Sequence, residues 1–221
     1  MRIAALDQGT TSTRVLVVSD NGSADIQLSL RHQQHHPHPG WVEHDPLELL
    51  NNLQRCLEAT GQVDAIGIAN QGESCLDAKT GEPLSPVIVW QDNRTSAEIA
   101  QLRGDGGEAL TLERAGLPLD PYFSASKLAW IVRNLPAAQS ALKAGRLRLG
   151  TTDAYFLDRL TGVFATDVTT ASRTSLMNLS TGQWDSQLCE LFGVPMETLP
   201  QIRDTVGHFG EIGATPVTAS I

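Results

Sequence analysis

Only three cysteines occur in the 221 residues, Cys56, Cys75 and Cys189, and they are scattered along the chain. Odd in number and without a Cys-x-x-Cys pair, they indicate neither a disulfide framework nor a zinc site, and a reducing cytoplasm is the expected compartment. Positive charge is scarce as well. Lys plus Arg total 16 against 25 Asp plus Glu, a net charge of −9, which argues against nucleic acid or an anionic membrane as a partner and leaves only local phosphate contacts open. No apolar run approaches the ~18–20 residues that cross a bilayer, and the first residues lack the basic and apolar regions of an export signal. What is present is a chain with 41% hydrophobic residues, enough for one substantial core, or for one core with a subsidiary layer.

The pattern of apolar residues predicts a β-meander over residues 1 to 33, with a hairpin turn at Asp20-Asn21-Gly22. Asp45-Pro46-Leu47-Glu48 has the form of a capped helix start, and Leu47, Leu50, Leu53 and Leu57 follow at helical spacing up to Gly61. A short buried strand over 63–69 runs into the polar corner Asn70 to Ser74. Further strands are expected over 86–90 and 146–150. Helices are expected over 125–134, 137–143, 153–160 and 186–192. Meander first, then alternating helix and strand, is the order of an α/β protein with a mixed sheet.

The stretch LDQGTTSTR, residues 6 to 14, ends the first strand on an acid, a glycine, four hydroxyls and a cation. Such a turn can gather backbone N–H groups and hydroxyls into an anion-binding concavity, with Asp7 placed to hold a hydrated Mg²⁺ and Arg14 to add a charge-assisted contact. An ordinary hydroxyl-rich hairpin has the same composition.

Six blocks taken together go further. ALDQGTTSTR (5–14), GWVEHDP (40–46), NQGES (70–74), VIVWQDNRT (87–95), YFSASKLAWIVRN (122–134) and TDVTTASRTSL (166–176) resemble, in order, the N-terminal half of the FGGY carbohydrate kinases, on the glycerol-kinase side of that family. The resemblance implies a ribonuclease-H-like fold, shared with actin, hexokinase and the Hsp70 ATPase domain, with a mixed five-stranded sheet flanked by helices. It implies one domain over 1–221, ATP and Mg²⁺ as cofactors, and phosphorylation of a hydroxyl of a small polyol or sugar. By position, Thr10, Thr11, Ser12 and Arg14 inherit phosphate contacts, and Asp7 inherits a place near Mg²⁺ through water. Gln71, Gly72, Glu73, Trp90 and Tyr122 inherit the substrate pocket.

The sequence departs from the family at position 72, where the glycerol kinases carry an arginine. Losing its five N–H donors is expected to change the preferred substrate and to vacate volume for a longer polyol or sugar. Arg94 or Arg173 filling the gap is the alternative. The family's general-base aspartate and its adenine-binding segments belong to a C-terminal domain that follows this one, so that domain is the expected partner, and the 221 residues alone are expected to be inactive. A catalytically silent sugar sensor is the alternative function, and association into a homo-oligomer through apolar patches is open. The histidines of RHQQHHPHPGW lack a firm ligand spacing and read as a solvated strand and loop rather than a metal site.

Overall fold

The computed structural model describes all residues 1–221. Strands β1 (Arg2–Gln8), β2 (Ser12–Ser19) and β3 (Ala24–Arg31) form the expected antiparallel meander. Period-two alternation turns Ala4 and Leu6 of β1 and Thr13, Val15 and Val17 of β2 inward, and Asp7 and Arg14 to the other face. The turn after β2 needs a residue at positive φ, which Gly22 supplies at 84°. After the two-residue β4 (Glu43–His44), helix α1 (Pro46–Ala59) starts on Asp45, whose carboxylate accepts from the Leu47 N–H. Glu48 does not close a capping box. It accepts instead from the Gln33 N–H at 3.2 Å and so tethers the histidine-rich segment to the helix.

The buried stripe of α1 is Leu49, Leu53 and Cys56, with Leu50 and Leu57 flanking it and Leu47 exposed in the first turn. The expected leucine row therefore shares Leu53 with the true contact line, while Leu50 and Leu57 lie one residue to its side. The chain returns as β5 (Ala65–Ala69), parallel to β1.

Next come β6 (Glu73–Asp77), β7 (Val87–Ile88), the helices α2 (Ser96–Gly104), α3 (Glu108–Arg114), α4 (Ser124–Asn134) and α5 (Pro136–Lys143), and then β8 (Leu147–Thr151). Helix α6 (Thr152–Thr161), β9 (Ala165–Asp167), α7 (Val168–Ser172), β10 (Met177–Asn178), β11 (Gln183–Trp184), α8 (Ser186–Phe192), β12 (Gln201–Arg203), β13 (Glu211–Ile212) and β14 (Thr215–Ser220) complete the order. The five-stranded mixed sheet is present as β3-β2-β1-β5-β14, with β14 parallel to β5, and the short β13 adds a sixth strand at its edge. The strands at 87–88 and 147–151 lie outside it, in a second, antiparallel sheet of order β4-β7-β6-β8.

Each sheet has its own core. Leu49 and Leu53 of α1 and Phe156 of α6 close over Leu6, Val15 and Ile68 of the larger sheet. Leu128 and Ile131 of α4, Ala138 of α5 and Phe192 of α8 gather with Cys75, Ile88 and Leu149 of the smaller one. All three cysteines are free and buried. No helix is long and apolar enough to cross a membrane.

A buried ion network locks the loop after β7 to the segment before α1. Arg94 donates through Nε and Nη2 to both oxygens of Asp92, at 2.9 and 2.8 Å, and through Nη2 to Glu43 at 2.7 Å. Asp92 also accepts from the Val42 N–H at 2.6 Å, while the guanidinium lies 3.8 Å from the Trp41 ring centroid and 4.6 Å from that of Trp130. Neither Arg94 nor Asp92 exposes its side chain. Removing one partner strands the other charge in a dry site. Asp92→Ala is therefore expected to lower the unfolding free energy by about 3–5 kcal/mol in urea denaturation, and a loss below ~1 kcal/mol, the range of an exposed pair, would contradict this account.

Candidate active site

The carboxyl ends of the parallel strands β1, β5 and β14 meet along one edge of the large sheet, the position where open α/β sheets bind ligands. The polar corner Asn70 to Gly72 leaves β5 there and is pinned to the start of α6. The Thr152 hydroxyl donates to the Gln71 carbonyl at 2.8 Å, and the Thr152 N–H donates to the Gly72 carbonyl at 3.0 Å. Gly72 has φ 99°, and a Cβ built on it would lie 2.7 Å from Val87 Cγ1 and 3.1 Å from the Ile88 carbonyl. A side chain leaving this backbone would run into β7, so the glycine does not vacate cavity volume as its smallness suggested. It instead allows the corner to press against the second sheet.

Glu73 opens β6 beside that corner and is 4% exposed. Its partner is Lys127 of α4, whose side chain is fully buried, with Nζ 3.7 Å from Glu73 Oε2. The same ammonium donates to the Tyr122 carbonyl at 2.9 Å. Burial pushes the Glu73 carboxyl up, and Lys127 and a hydrogen bond from Ser124 pull against that rise. At 3.7 Å the ammonium attracts Oε2 without hydrogen-bonding it, and this oxygen has no hydrogen-bond partner.

Gln71, Gly72, Glu73, Trp90 and Tyr122 all line one cavity of about 240 Å³, below the ~300–1,000 Å³ of drug-sized ligand sites. The Trp90 and Tyr122 rings, 5.7 Å apart, form its aromatic wall. Asn70, Ser124, Thr151 and Ile221 also line it, as do Thr169, Thr170 and Arg173 around α7. Apart from Arg173, considered as a filler of the gap at position 72, none of these was assigned a site role from sequence, although Ser124 lies in the YFSAS block and the α7 group in TDVTTASRT. Of the two arginines considered for the gap at position 72, Arg94 is committed to its buried network and Arg173 reaches the cavity.

The turn between β1 and β2 is closed by the Gly9 N–H donating to the Ser12 carbonyl at 2.9 Å. Thr10 stands at the junction of this turn and the cavity, its hydroxyl 3.4 Å from Gln71 Oε1 and 3.5 Å from Trp90 Nε1. Thr11, Ser12, Arg14 and Asp7 do not line the cavity but belong to the adjoining surface. Arg14 Nε pairs with Asp7 Oδ2 at 3.0 Å across the ladder, both side chains about half exposed. The histidine-rich segment braces the turn. His32 Nε2 lies 3.0 Å from the Thr10 carbonyl, which also accepts from Gln34 Nε2 at 3.2 Å. Burial lowers the pKa of His32, and takes His44, packed edge-on against it, down to about 4, so both rings are neutral near pH 7.

No group of three His, Cys, Asp or Glu side chains converges on a metal position. Asp7 fits a Mg²⁺ that keeps its water shell, because such an ion takes only one or two carboxylates and this carboxylate is about half exposed. The hydroxyls of Thr10, Thr11 and Ser12 with the Gly9 turn fit a phosphate group.

Behind the cavity, Asp153 is fully buried and accepts from the Thr151 and Thr166 hydroxyls at 2.5 and 2.6 Å. Burial raises its pKa from 3.8 to about 6 against these hydrogen bonds.

These features define a sugar-kinase-like domain of the actin and hexokinase type. The model of the FGGY family of carbohydrate kinases, N-terminal domain, matches residues 2–219, and the chain belongs to that family. It is 43% identical over 221 residues to the glycerol kinase of Bradyrhizobium diazoefficiens, covering 95% of this chain and 44% of that one. It is 45% identical over 226 residues to the glycerol kinase of Nocardia farcinica, covering 97% and 45%. Among solved structures, Plasmodium falciparum glycerol kinase with ADP superposes with a TM-score of 0.92 at 30% identity, covering all of this chain and 48% of that one. The chain thus spans about half the length of the relatives it matches.

The raised pKa of Asp153 gives a pH signature. The native state holds a proton that the unfolded chain has lost between about pH 4 and 6, so this group's contribution falls as pH rises through that window. Asp153→Asn is expected to remove that slope, making the variant gain on the wild type by a few kcal/mol between pH 4 and pH 7 in denaturant titrations. A stability difference that is flat in pH would contradict the assignment.

Proposed function

We propose that the chain is the acceptor-binding half of an ATP-dependent kinase that phosphorylates a hydroxyl of a small polyol or sugar. The observation that carries this reading is that two residues lining one small cavity, Glu73 and Gln71, each keep a polar atom without a hydrogen-bond partner, Oε2 and Nε2, buried just beneath its surface. An acceptor and a donor left without partners at the same cavity suit a hydroxylated ligand, which both donates and accepts. Trp90 and Tyr122 offer its carbon skeleton an apolar wall, and Thr10 puts the acceptor next to the phosphate turn. Family membership and the likeness to a glycerol kinase solved with ADP support the reaction class.

ATP with Mg²⁺ supplies the transferred phosphoryl group and neutralises its oxygens. The work of this half is positioning, which dominates catalysis of phosphoryl transfer. Glu73 orients the acceptor, Thr10 to Ser12 hold phosphate oxygens, and Asp7 holds a water of the metal shell. Glu73 is the only carboxylate lining the cavity, and Lys127 and Ser124 occupy it. The base is therefore assigned to a second domain, consistent with relatives about twice as long. Gly72 in place of the family's arginine removes a set of donors, so the acceptor is proposed to differ from glycerol. Gly72→Arg is not a clean reversal, because the backbone at φ 99° sends that side chain against Val87.

The test is a titration of the chain with glycerol, tetritols, pentitols, pentuloses and hexuloses, following the Trp90 indole N–H by ¹H–¹⁵N NMR. At least one is expected to shift this resonance saturably, and Glu73→Gln is expected to weaken it about tenfold, the loss of one charge-assisted hydrogen bond. The chain alone is expected to transfer no phosphate from ATP to any of them. Polyol binding that ignores Glu73, or turnover by the isolated chain, would contradict the proposal.

A further inference from the structure

Arg173 is the one cation lining the cavity, and nothing in the chain neutralises it. Arg94, Arg114, Arg146 and Arg148 each hold a carboxylate, whereas Arg173, an exposed residue, is in no ion pair; Arg2, Arg31, Arg55, Arg133 and Arg203 are in none either, but none of them lines the cavity. Its guanidinium instead lies against aromatic rings, 5.8 Å from the Tyr122 centroid and 5.0 Å from that of Phe123. The cavity's other charge, Glu73, already has Lys127 beside it. In a chain of net charge −9, the space where the acceptor binds therefore carries an unmatched positive charge.

We propose that Arg173 receives an oxyanion of the molecule bound in this cavity, either the carboxylate of a hydroxy acid or the phosphoryl group of a phosphorylated polyol. The inference rests on the cavity being the acceptor site. A guanidinium fork matches two oxygens of a carboxylate or phosphate at once, while a hydroxyl uses one N–H and leaves the charge unmatched. Contact with the Tyr122 and Phe123 rings restricts the fork to a few orientations, which lowers the entropy lost on capture. Arg173 also differs in direction of approach from the missing arginine, because it enters from α7 rather than from the corner. The specificity it confers is for charge.

Binding of four probes to the wild-type chain, Arg173→Gln and Arg173→Lys separates the possibilities, with the Trp90 indole N–H as reporter. The probes are glycerol, glycerate, glycerol 3-phosphate and inorganic phosphate. Arg173→Gln is expected to weaken at least one of the two anionic polyols about tenfold or more, with glycerol changed by less than about twofold. Arg173→Lys is expected to recover part of the loss, as a point charge without the fork. A loss confined to glycerate assigns the carboxylate, and a loss for glycerol 3-phosphate, with or without inorganic phosphate, assigns the phosphoryl group. Equal losses for glycerol and both anions, or no loss for any, overturn the inference while leaving the acceptor site standing. A wild-type chain that responds neither to these probes nor to any of the longer polyols and sugars overturns both.

Discussion

The ammonium of Lys127 lies entirely out of water and faces a carboxylate that is nearly as buried. Each charge loses several kcal/mol of hydration on being buried, and their attraction recovers that only when further partners help. Those partners are the Tyr122 carbonyl on the lysine side and Ser124 on the glutamate side. Ser124 is in the first turn of α4, where the helix dipole favours negative charge. The pair therefore does more than offset itself. One ammonium fixes the carboxylate at the base of the cavity and the backbone of the aromatic residue on its wall, and removing it would release both.

The remaining walls come from separate stretches that are each tied to something rigid. The Asn70 to Gly72 corner hangs on Thr152 at the start of α6, and the loop carrying Trp90 follows β7 into the Arg94 network. The turn between β1 and β2 is held from behind by His32 and Gln34, whose segment is tethered to α1 through Glu48. Thr10 then joins turn to cavity through Gln71 and Trp90. A site assembled from several separate stretches gains precision from such supports, because side chains held by their surroundings keep their geometry.

Much of this was legible beforehand, for identifiable reasons. The meander showed because β1 and β2 alternate apolar and polar residues over seven and eight positions. Helix α1 announced its start through Asp45 and Pro46, and α8 matched its expected bounds because Asp185 caps it and Gly193, at φ 77°, ends it. Gln71, Gly72, Glu73, Trp90 and Tyr122 were placed in one pocket by their family blocks, and the fold brings all five together. The strands at 87–88 and 147–151 were expected, but not the second sheet they form, since β4 is only two residues long and β6 starts inside the polar corner. Nor was the direction in which Gly72 points, which depends on a positive φ set by β7. Arg173 was legible only as one of two arginines that could fill the gap at position 72; spacing along a chain could not show that it, and not Arg94, lines the cavity, or that it has no ionic partner.

The central claim is that Glu73, held by Lys127, offers its carboxylate to a hydroxylated ligand in the cavity that adjoins the turn between β1 and β2. A crystal structure of the chain with whichever polyol or sugar binds it most tightly tests this most directly. The account predicts a ligand hydroxyl within about 3 Å of Glu73 Oε2, the carbon skeleton against Trp90, and Lys127 still buried on the Tyr122 carbonyl. A ligand bound elsewhere, or a Glu73 carboxylate turned away from it, would contradict the account.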